Sequence, residues 1–208
     1  MRFPFTALLL LSLAFLLGCN QDKPRPGART VRLNPDPQHA YQLTLTLENA
    51  PGPFAHVQGV MQFNAENGAL CGYREPITAI ISDPVENIPF DLTKVSDNEY
   101  SGTIYTDYLM DDNYYGRAVC HWKFTEARAR LRATGDTKET RFIIDIHLDK
   151  IQNLGSESRY YWKGRYPQSF SERFIDLGSI TPEEYLPEFR NDVFTISLTV
   201  KEPDNEHN

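Results

Sequence analysis

The side chains of this sequence that could do chemistry are carboxylates, imidazoles and thiols, and their spacing matches no catalytic signature. The chain has five histidines: His39, His56, His121, His147 and His207. No two of them have close metal-ligand spacing, and the Walker loop, the nucleophile elbow and the His-Glu-x-x-His motif are absent from the sequence. We therefore expect no catalytic residue, no metal and no cofactor. A hydrolase with carboxyl groups about 5–9.5 Å apart stays open, because sequence spacing cannot show that distance.

One polar pattern could hold a cation. Asp145, His147 and Asp149 alternate along the sequence, so on a strand they would share one face and could ligate a hard cation. We favour a solvated polar face. Alternating arginines precede it at Arg128, Arg130 and Arg132. Cross-strand charge pairing in a hairpin would account for both sets without a ligand.

A second polar cluster is YTDYLMDDNYYGRAVCHW, residues 105–122. Tyrosine is frequent at the energetic centres of protein interfaces, and clustered carboxylates attract a basic partner. The predicted partner-binding residues are Asp107, Tyr108, Asp111, Asp112, Tyr114 and Tyr115. An ordinary acidic surface loop is an equally good interpretation.

A third cluster, RYYWKGRYP at residues 159–167, places aromatic residues beside bases. Strand alternation puts Tyr160 and Trp162 on one face and Tyr161 on the other. Such a face could stack on a sugar or complete a protein interface. We favour an edge strand whose basic side chains extend to solvent.

The amino terminus indicates where the chain is sent. Arg2 precedes an apolar run at residues 5–17, which is shorter than the about 20 residues that span a bilayer and is typical of a secretory signal peptide. Leu16-Leu17-Gly18-Cys19 resembles the lipobox of bacterial lipoproteins. The resemblance implies removal of residues 1–18 and lipidation of Cys19, and Asn20 favours an outer-membrane protein that faces the periplasm. An uncleaved signal anchor is the alternative.

If the chain is exported, its two remaining cysteines enter an oxidising compartment. Cys71 and Cys120 would be oxidised in the envelope, so we predict a disulfide between them. A catalytic thiol is the alternative, although neither cysteine belongs to a Cys-x-x-Cys pair. The formal net charge of −7 argues against a nucleic-acid partner, because phosphate neutralisation supplies most of that affinity.

The elements that would position these residues are short strands. Residues 19–38 carry the lipidated Cys19 and a proline-rich tether, 39–201 form one β domain, and 202–208 form an acidic flexible tail. Apolar alternation predicts strands at 41–47, 57–63, 77–81, 88–95, 100–106, 127–133, 142–148 and 194–200. A bulge is expected near Thr125 and Glu126, and a helical turn at 181–186. The fold class is mainly β: an antiparallel sandwich or barrel of about eight to nine strands with one or two short helical turns.

A further short pattern is similar to a known family. Ser101-Gly102-Thr103-Ile104-Tyr105 resembles the Ser-Gly-x-x-Tyr pattern of membrane-bound C-type lysozyme inhibitors, which are lipid-anchored. The resemblance implies roles for Ser101 and Tyr105 alone.

These features together predict a non-enzymatic envelope lipoprotein that binds a protein partner, with a protective role such as toxin immunity or hydrolase inhibition. Its partners would be the bilayer, through acylated Cys19, and a basic protein. The alternative is a structural or assembly lipoprotein of the outer membrane or of a secretion apparatus.

Overall fold

Residues 30–203, the part of the chain that the computed structural model describes, contain two five-stranded sheets. The predicted signal peptide, Cys19 and tail residues 204–208 lie outside the described residues. The strands are β1 (Ala40–Glu48), β2 (His56–Ala65), β3 (Val85–Phe90), β4 (Thr93–Ser96), β5 (Glu99–Tyr105), β6 (Trp122–Arg132), β7 (Arg141–His147), β8 (Ser156–Trp162), β9 (Ile175–Asp176) and β10 (Val193–Lys201). The helices are α1 (Gly68–Cys71) and α2 (Leu148–Gln152), with 3₁₀ turns at Lys163–Arg165 and Pro182–Glu184.

The strand order is β4-β5-β1-β10-β8 in the first sheet and β3-β2-β6-β7-β9 in the second. All pairs are antiparallel except β7 with β9, which pair in parallel. The mainly β prediction is confirmed, and two separate sheets correspond to the sandwich rather than to a closed sheet. The described residues hold ten strands: one of the eight predicted ranges is not a strand, another divides in two, and β8 and the two-residue β9 are additional.

The core lies between the sheets and follows from alternation along the strands. Leu43, Leu45 and Leu47 of β1 are buried, as are Phe142, Ile144 and Ile146 of β7. They belong to one apolar cluster, in which the rings of Phe54, Phe142 and Phe194 contact one another. Every second residue of a strand faces the partner sheet, so the hydrophobic effect determines which face of each strand points inward.

The predicted bulge in β6 is confirmed at Thr125. Gln62 pairs with Glu126 whereas Phe63 pairs with Phe124, so Thr125 is the extra residue on β6. The bulge lets Phe124 and Ala127 both face the core despite their odd spacing. Glu126 therefore lies on the outer face.

Two strand predictions are wrong. Residues 77–81 are a turn followed by irregular chain, with only an isolated bridge between Ile81 and Arg74. Ile77 is 92% exposed, and Ala79 has a φ of 57°, which an extended strand does not accommodate. Residues 88–95 divide at Asp91 and Leu92 into β3 and β4, which belong to different sheets. A change of sheet leaves no mark in the alternation pattern.

Smaller differences concern helices. The predicted turn at 181–186 is confirmed as the 3₁₀ turn Pro182–Glu184, although the Thr181 side chain makes no capping hydrogen bond. The return strand of the predicted hairpin ends at His147, because Leu148 begins α2. Among residues 30–203, no helix has the length and apolar character needed to cross a bilayer.

The end of the predicted tether packs on the domain. Leu33 forms a bridge with Leu109, the Asn34 backbone N–H donates to the Tyr108 carbonyl at 2.8 Å, and Met110 donates to the Arg32 carbonyl at 3.0 Å. The structured chain therefore begins before residue 39.

Candidate functional site

The three aspartates of the 105–122 loop all accept hydrogen bonds from within the chain. Asp107 accepts the backbone N–H groups of Gln38 at 2.7 Å and His39 at 3.2 Å. Its carboxylate also lies 3.3 Å from the His39 ring. Asp107 thus fastens the amino-terminal segment to the loop.

Asp111 and Asp112 fix the other end of the loop. Asp111 accepts the Trp122 backbone N–H at 2.9 Å and contacts His121 Nδ1 at 2.6 Å. Asp112 accepts from Arg32 at 3.1 Å and from the Asn113 N–H at 2.7 Å. The Arg32 guanidinium and the Asn113 N–H hold the pKa of Asp112 below its ordinary value. These carboxylates stay partly exposed, but their first role is to hold the loop.

The tyrosines of the loop differ in exposure. Tyr114 is buried against the disulfide between Cys71 and Cys120, and its hydroxyl donates to the Met110 carbonyl at 2.6 Å. Tyr108 is half-buried with its ring stacked on Tyr105. Burial, reinforced by the Glu86 carboxylate, raises the pKa of half-buried Tyr115. The predicted disulfide is confirmed, and the predicted partner-binding residues lie together in one braced loop.

The first half of the 159–167 cluster lies on β8, an edge strand, as predicted, and the second half begins with the 3₁₀ turn Lys163–Arg165. Tyr161 points inward with no exposed surface, and its hydroxyl donates to the Ile143 carbonyl at 2.8 Å. Burial raises the pKa of Tyr161 well above its ordinary value, with a smaller contribution from the Asp176 charge. Trp162 points outward, where its indole N–H donates to Asp192 at 3.2 Å and its ring lies 4.3 Å from that of Phe189.

Residues 170–186, which follow β8 in the chain, expose a set of large apolar side chains that the sequence did not predict. We call it the apolar strip: Phe170, Ile175, Leu177, Ile180 and Leu186. Phe170 is 96% exposed. No period in the sequence marks these residues, because the segment that carries them is mostly irregular.

A half-buried ion pair supports this segment. Arg165 donates to Asp176 at 3.0 Å, and the guanidinium lies 5.0 Å from the centroid of the Phe174 ring and 5.9 Å from that of Tyr185. Asp176 is buried and also accepts the Gly178 N–H at 3.0 Å. The strip is therefore displayed on an ordered backbone.

Of the three residues that the sequence offered as an alternative cation set, two come together in the structure and the third does not. Asp149 lies on α2, whereas Glu126, Asp145 and His147 bring ligand atoms within 4.8 Å of one another. His147 faces Glu126 through Nδ1 and Asp145 through Nε2, each at 3.4 Å. Because the two nitrogens of one ring point at different carboxylates and Arg128 pairs with Glu126, we interpret the set as an ion-pair network.

The predicted pairing of the arginine stripe is wrong for two of its members. Arg128 lies opposite Asp145 in the hairpin register, and its guanidinium pairs with Glu126 and donates to the Gln62 side chain at 3.1 Å. Across the hairpin, Arg130 faces Ile143 rather than a carboxylate. Among residues 30–203, Arg130 and Arg132 have no acidic partner at ion-pair distance.

Comparison with known protein families, with characterised proteins and with solved structures finds no match to this chain. The Ser-Gly-x-x-Tyr pattern lies on β5, in the interior of the first sheet, with Ser101 and Tyr105 half-buried. Its resemblance to the lysozyme inhibitors stays a prediction.

Proposed function

We propose that this chain is a non-enzymatic envelope lipoprotein, anchored through acylated Cys19 on the outer membrane, that binds a protein partner on the periplasmic side. The observation that carries the proposal is the apolar strip at residues 170–186. Five large apolar side chains are exposed within these 17 residues, and a concentration of exposed apolar residues marks a candidate protein interface.

The strip has the composition that interfaces favour. Phe170 projects almost completely into solvent, Trp162 and Arg165 shortly precede the segment in sequence, and Tyr185 lies within it. Aromatic residues and arginine dominate binding energy where partners exclude water. Fully burying Phe170 under a partner would contribute about 1.5–3 kcal/mol.

The 105–122 loop is the second contact that we propose. Its aspartates are bound within the chain, so it would act as a rigid surface with partly exposed carboxylates and the half-buried Tyr108 and Tyr115. A braced loop loses little conformational entropy on binding. A basic partner fits its charge.

The test measures capture of envelope proteins by the mature chain, with Cys19→Ser to remove the lipid. The strip variant carries Phe170→Ser, Leu177→Ser and Ile180→Ser. Its matched control carries Ile77→Ser, Ile80→Ser and Val95→Ser, which replace equally exposed apolar residues away from the strip. A loop variant carries Tyr108→Ser and Tyr115→Ser.

We expect one envelope protein to be retained by the native chain and the control, and its affinity for the strip variant to fall at least about tenfold, the equivalent of 1.4 kcal/mol. Circular dichroism must show that each variant is folded. Equal retention by the strip variant and the control would refute the strip as the site. Loss of retention only in the loop variant would assign the partner to the loop.

The structural or assembly role is the second proposal that the same strip supports. A permanent subunit interface is larger and more apolar than a capture site. Size-exclusion chromatography of detergent extracts separates the two: a stable multi-protein complex containing this chain favours assembly, and reversible binding of one secreted toxin or hydrolase favours protection.

A further inference from the structure

The outer face of the second sheet carries four arginines at one end. Arg128, Arg130 and Arg132 alternate along β6 on the side away from the core, since Ala127, Ala129 and Leu131 face inward. Arg141 begins β7. Because Leu131 pairs with Phe142, the same register places Arg141 opposite Arg132. We call Arg130, Arg132 and Arg141 the arginine face.

The arginine stems cover apolar residues of the same sheet surface. Val60, opposite Arg128, is 3% exposed, and Ile143, opposite Arg130, is 8% exposed. Neither belongs to the core between the sheets. Their burial therefore comes from the outer side, where the methylene stems of the arginines lie along the sheet and hold the guanidinium groups close to its surface.

The charges of the arginine face are not neutralised within the described chain. Arg128 has the Glu126 carboxylate, but no acidic group of residues 30–203 pairs with Arg130, Arg132 or Arg141. The Nε atoms of these three residues are buried without an acceptor. Burial, together with the positive charges of Arg128 and Arg141, lowers the pKa of Arg130. Like charges held this close are unfavourable without an anion.

We propose that the arginine face binds a phosphate group carried by a soluble ligand. Residues two apart on a strand are about 6.6 Å apart, and cross-strand neighbours are about 5 Å apart. Three guanidinium groups at such distances can each reach a different terminal oxygen of one phosphate monoester, whereas a carboxylate offers only two oxygens. Guanidinium forms paired hydrogen bonds with phosphate and sheds its hydration easily.

The position of the face favours a soluble ligand over the headgroups of the anchoring membrane. The end of the predicted tether, at Arg32, packs beside Asp112, close to where β6 begins at Trp122. Arg132 ends β6, about 33 Å away at the rise of an extended strand. The arginine face thus lies at the end of the domain opposite to the entry of the tether.

The test is calorimetric titration of the mature chain (Cys19→Ser) with inorganic phosphate and with pyrophosphate, at constant ionic strength. The variant is Arg130→Gln with Arg132→Gln. The matched control is Lys123→Gln with Lys201→Gln, which removes two positive charges outside the face, one of them on the same strand. Vesicles of phosphatidylglycerol and a polyglutamate peptide serve as competing anions.

We expect saturable phosphate binding that weakens at least about tenfold in the arginine variant and is unchanged in the lysine control. Circular dichroism must show that both variants are folded, because the shorter glutamine side chains cover less of Ile143 than the arginine stems do. Equal binding by native chain and variant means an adventitious ion only and overturns the proposal. Preferential binding to vesicles would contradict the proposal that the phosphate group is carried by a soluble ligand. Preferential binding to polyglutamate would contradict phosphate as the recognised group.

This inference is independent of the protein partner. The arginine face and the apolar strip are carried by different residues, so a failure of phosphate binding leaves the strip test untouched. A failure of partner capture likewise leaves the titration result standing.

Discussion

Glu139 is the buried carboxylate that organises the turn between β6 and β7. Its oxygens accept the Thr134 backbone N–H at 3.0 Å, the Thr134 hydroxyl at 2.7 Å and the Gly135 N–H at 3.2 Å. Burial by itself would raise the pKa of Glu139, but these hydrogen bonds outweigh it and lower the pKa below the ordinary value. A single buried side chain thus accepts hydrogen bonds from two consecutive residues of the turn.

We predict that Glu139→Gln lowers the free energy of unfolding by about 1.5–3 kcal/mol, the range for hydrogen bonds to a charged group. The amide nitrogen cannot accept the N–H groups that one carboxylate oxygen accepts. Urea unfolding at pH 7 measures the change. Asp136→Asn, an exposed substitution in the same turn, is the control, and an equal loss in both variants would contradict the role of Glu139.

The lowered pKa gives this prediction a pH dependence. A carboxylate with a depressed folded pKa stabilises the native state fully above its unfolded value of about 4.3, and that contribution is lost as the pH falls through the folded pKa. The stability difference between native chain and Glu139→Gln should therefore shrink below about pH 4. A difference that stays constant from pH 7 to pH 3 would contradict the assignment.

At the scale of elements, the disulfide joins α1 to the segment that leads into β6. Cys71 ends α1, and Cys120 forms a bridge with Asp112 just before Trp122. Both sulfurs are buried with Tyr114 in a small cluster separate from the main core. A satellite cluster of this size has little apolar area of its own, so the covalent bond supplies much of its order.

We predict that Cys71→Ser with Cys120→Ser lowers the free energy of unfolding by about 4 kcal/mol, the chain-entropy value for a closed loop of about 50 residues. Guanidinium unfolding measures it, and the native chain in reducing agent should match the variant. The strands of the main core should keep their amide protection in hydrogen exchange. Loss of protection throughout the chain would show that the bridge holds more than α1 and the 105–122 loop.

The elements also show where sequence patterns succeed. Alternation identified β1, β2, β5, β7 and β10, because one face of each packs on the core. The inward-facing residues change from even numbers at Phe124 to odd numbers at Ala127, and this change predicted the bulge at Thr125. The same rule failed at residues 77–81, whose isoleucines contact solvent, because apolar spacing says nothing about whether a neighbouring strand exists.

At the scale of the whole molecule, the amino-terminal segment is part of the folded domain. It contributes the Arg32–Asp112 ion pair at 3.1 Å, the Leu33–Leu109 bridge and the Gln38 N–H bond to Asp107. These contacts tie the predicted tether to the 105–122 loop.

We predict that a chain starting at residue 39 is less stable than one starting at residue 30 by about 2 kcal/mol, from several hydrogen bonds worth about 0.5–1.5 kcal/mol each. Thermal unfolding of the two chains gives the comparison. The mature chain should melt with the chain that starts at residue 30. Identical melting of all three would mean that residues 30–38 do not stabilise the domain.

The sequence by itself determined the β class, the inward face of most strands, the bulge and the Cys71–Cys120 pairing. These depend on local periodicity or on composition. The predicted export signal, lipidation of Cys19 and protein partner also come from the sequence, and they stay predictions.

Only the tertiary structure decided which charges meet. It placed Glu126 beside His147, left Arg130 facing Ile143, and gave the loop aspartates partners in the amino-terminal segment. It also exposed the apolar strip around β9. The reason is physical: charge pairing and exposure depend on strand register and on neighbours distant in sequence, and a shift of one residue moves every side chain to the other face.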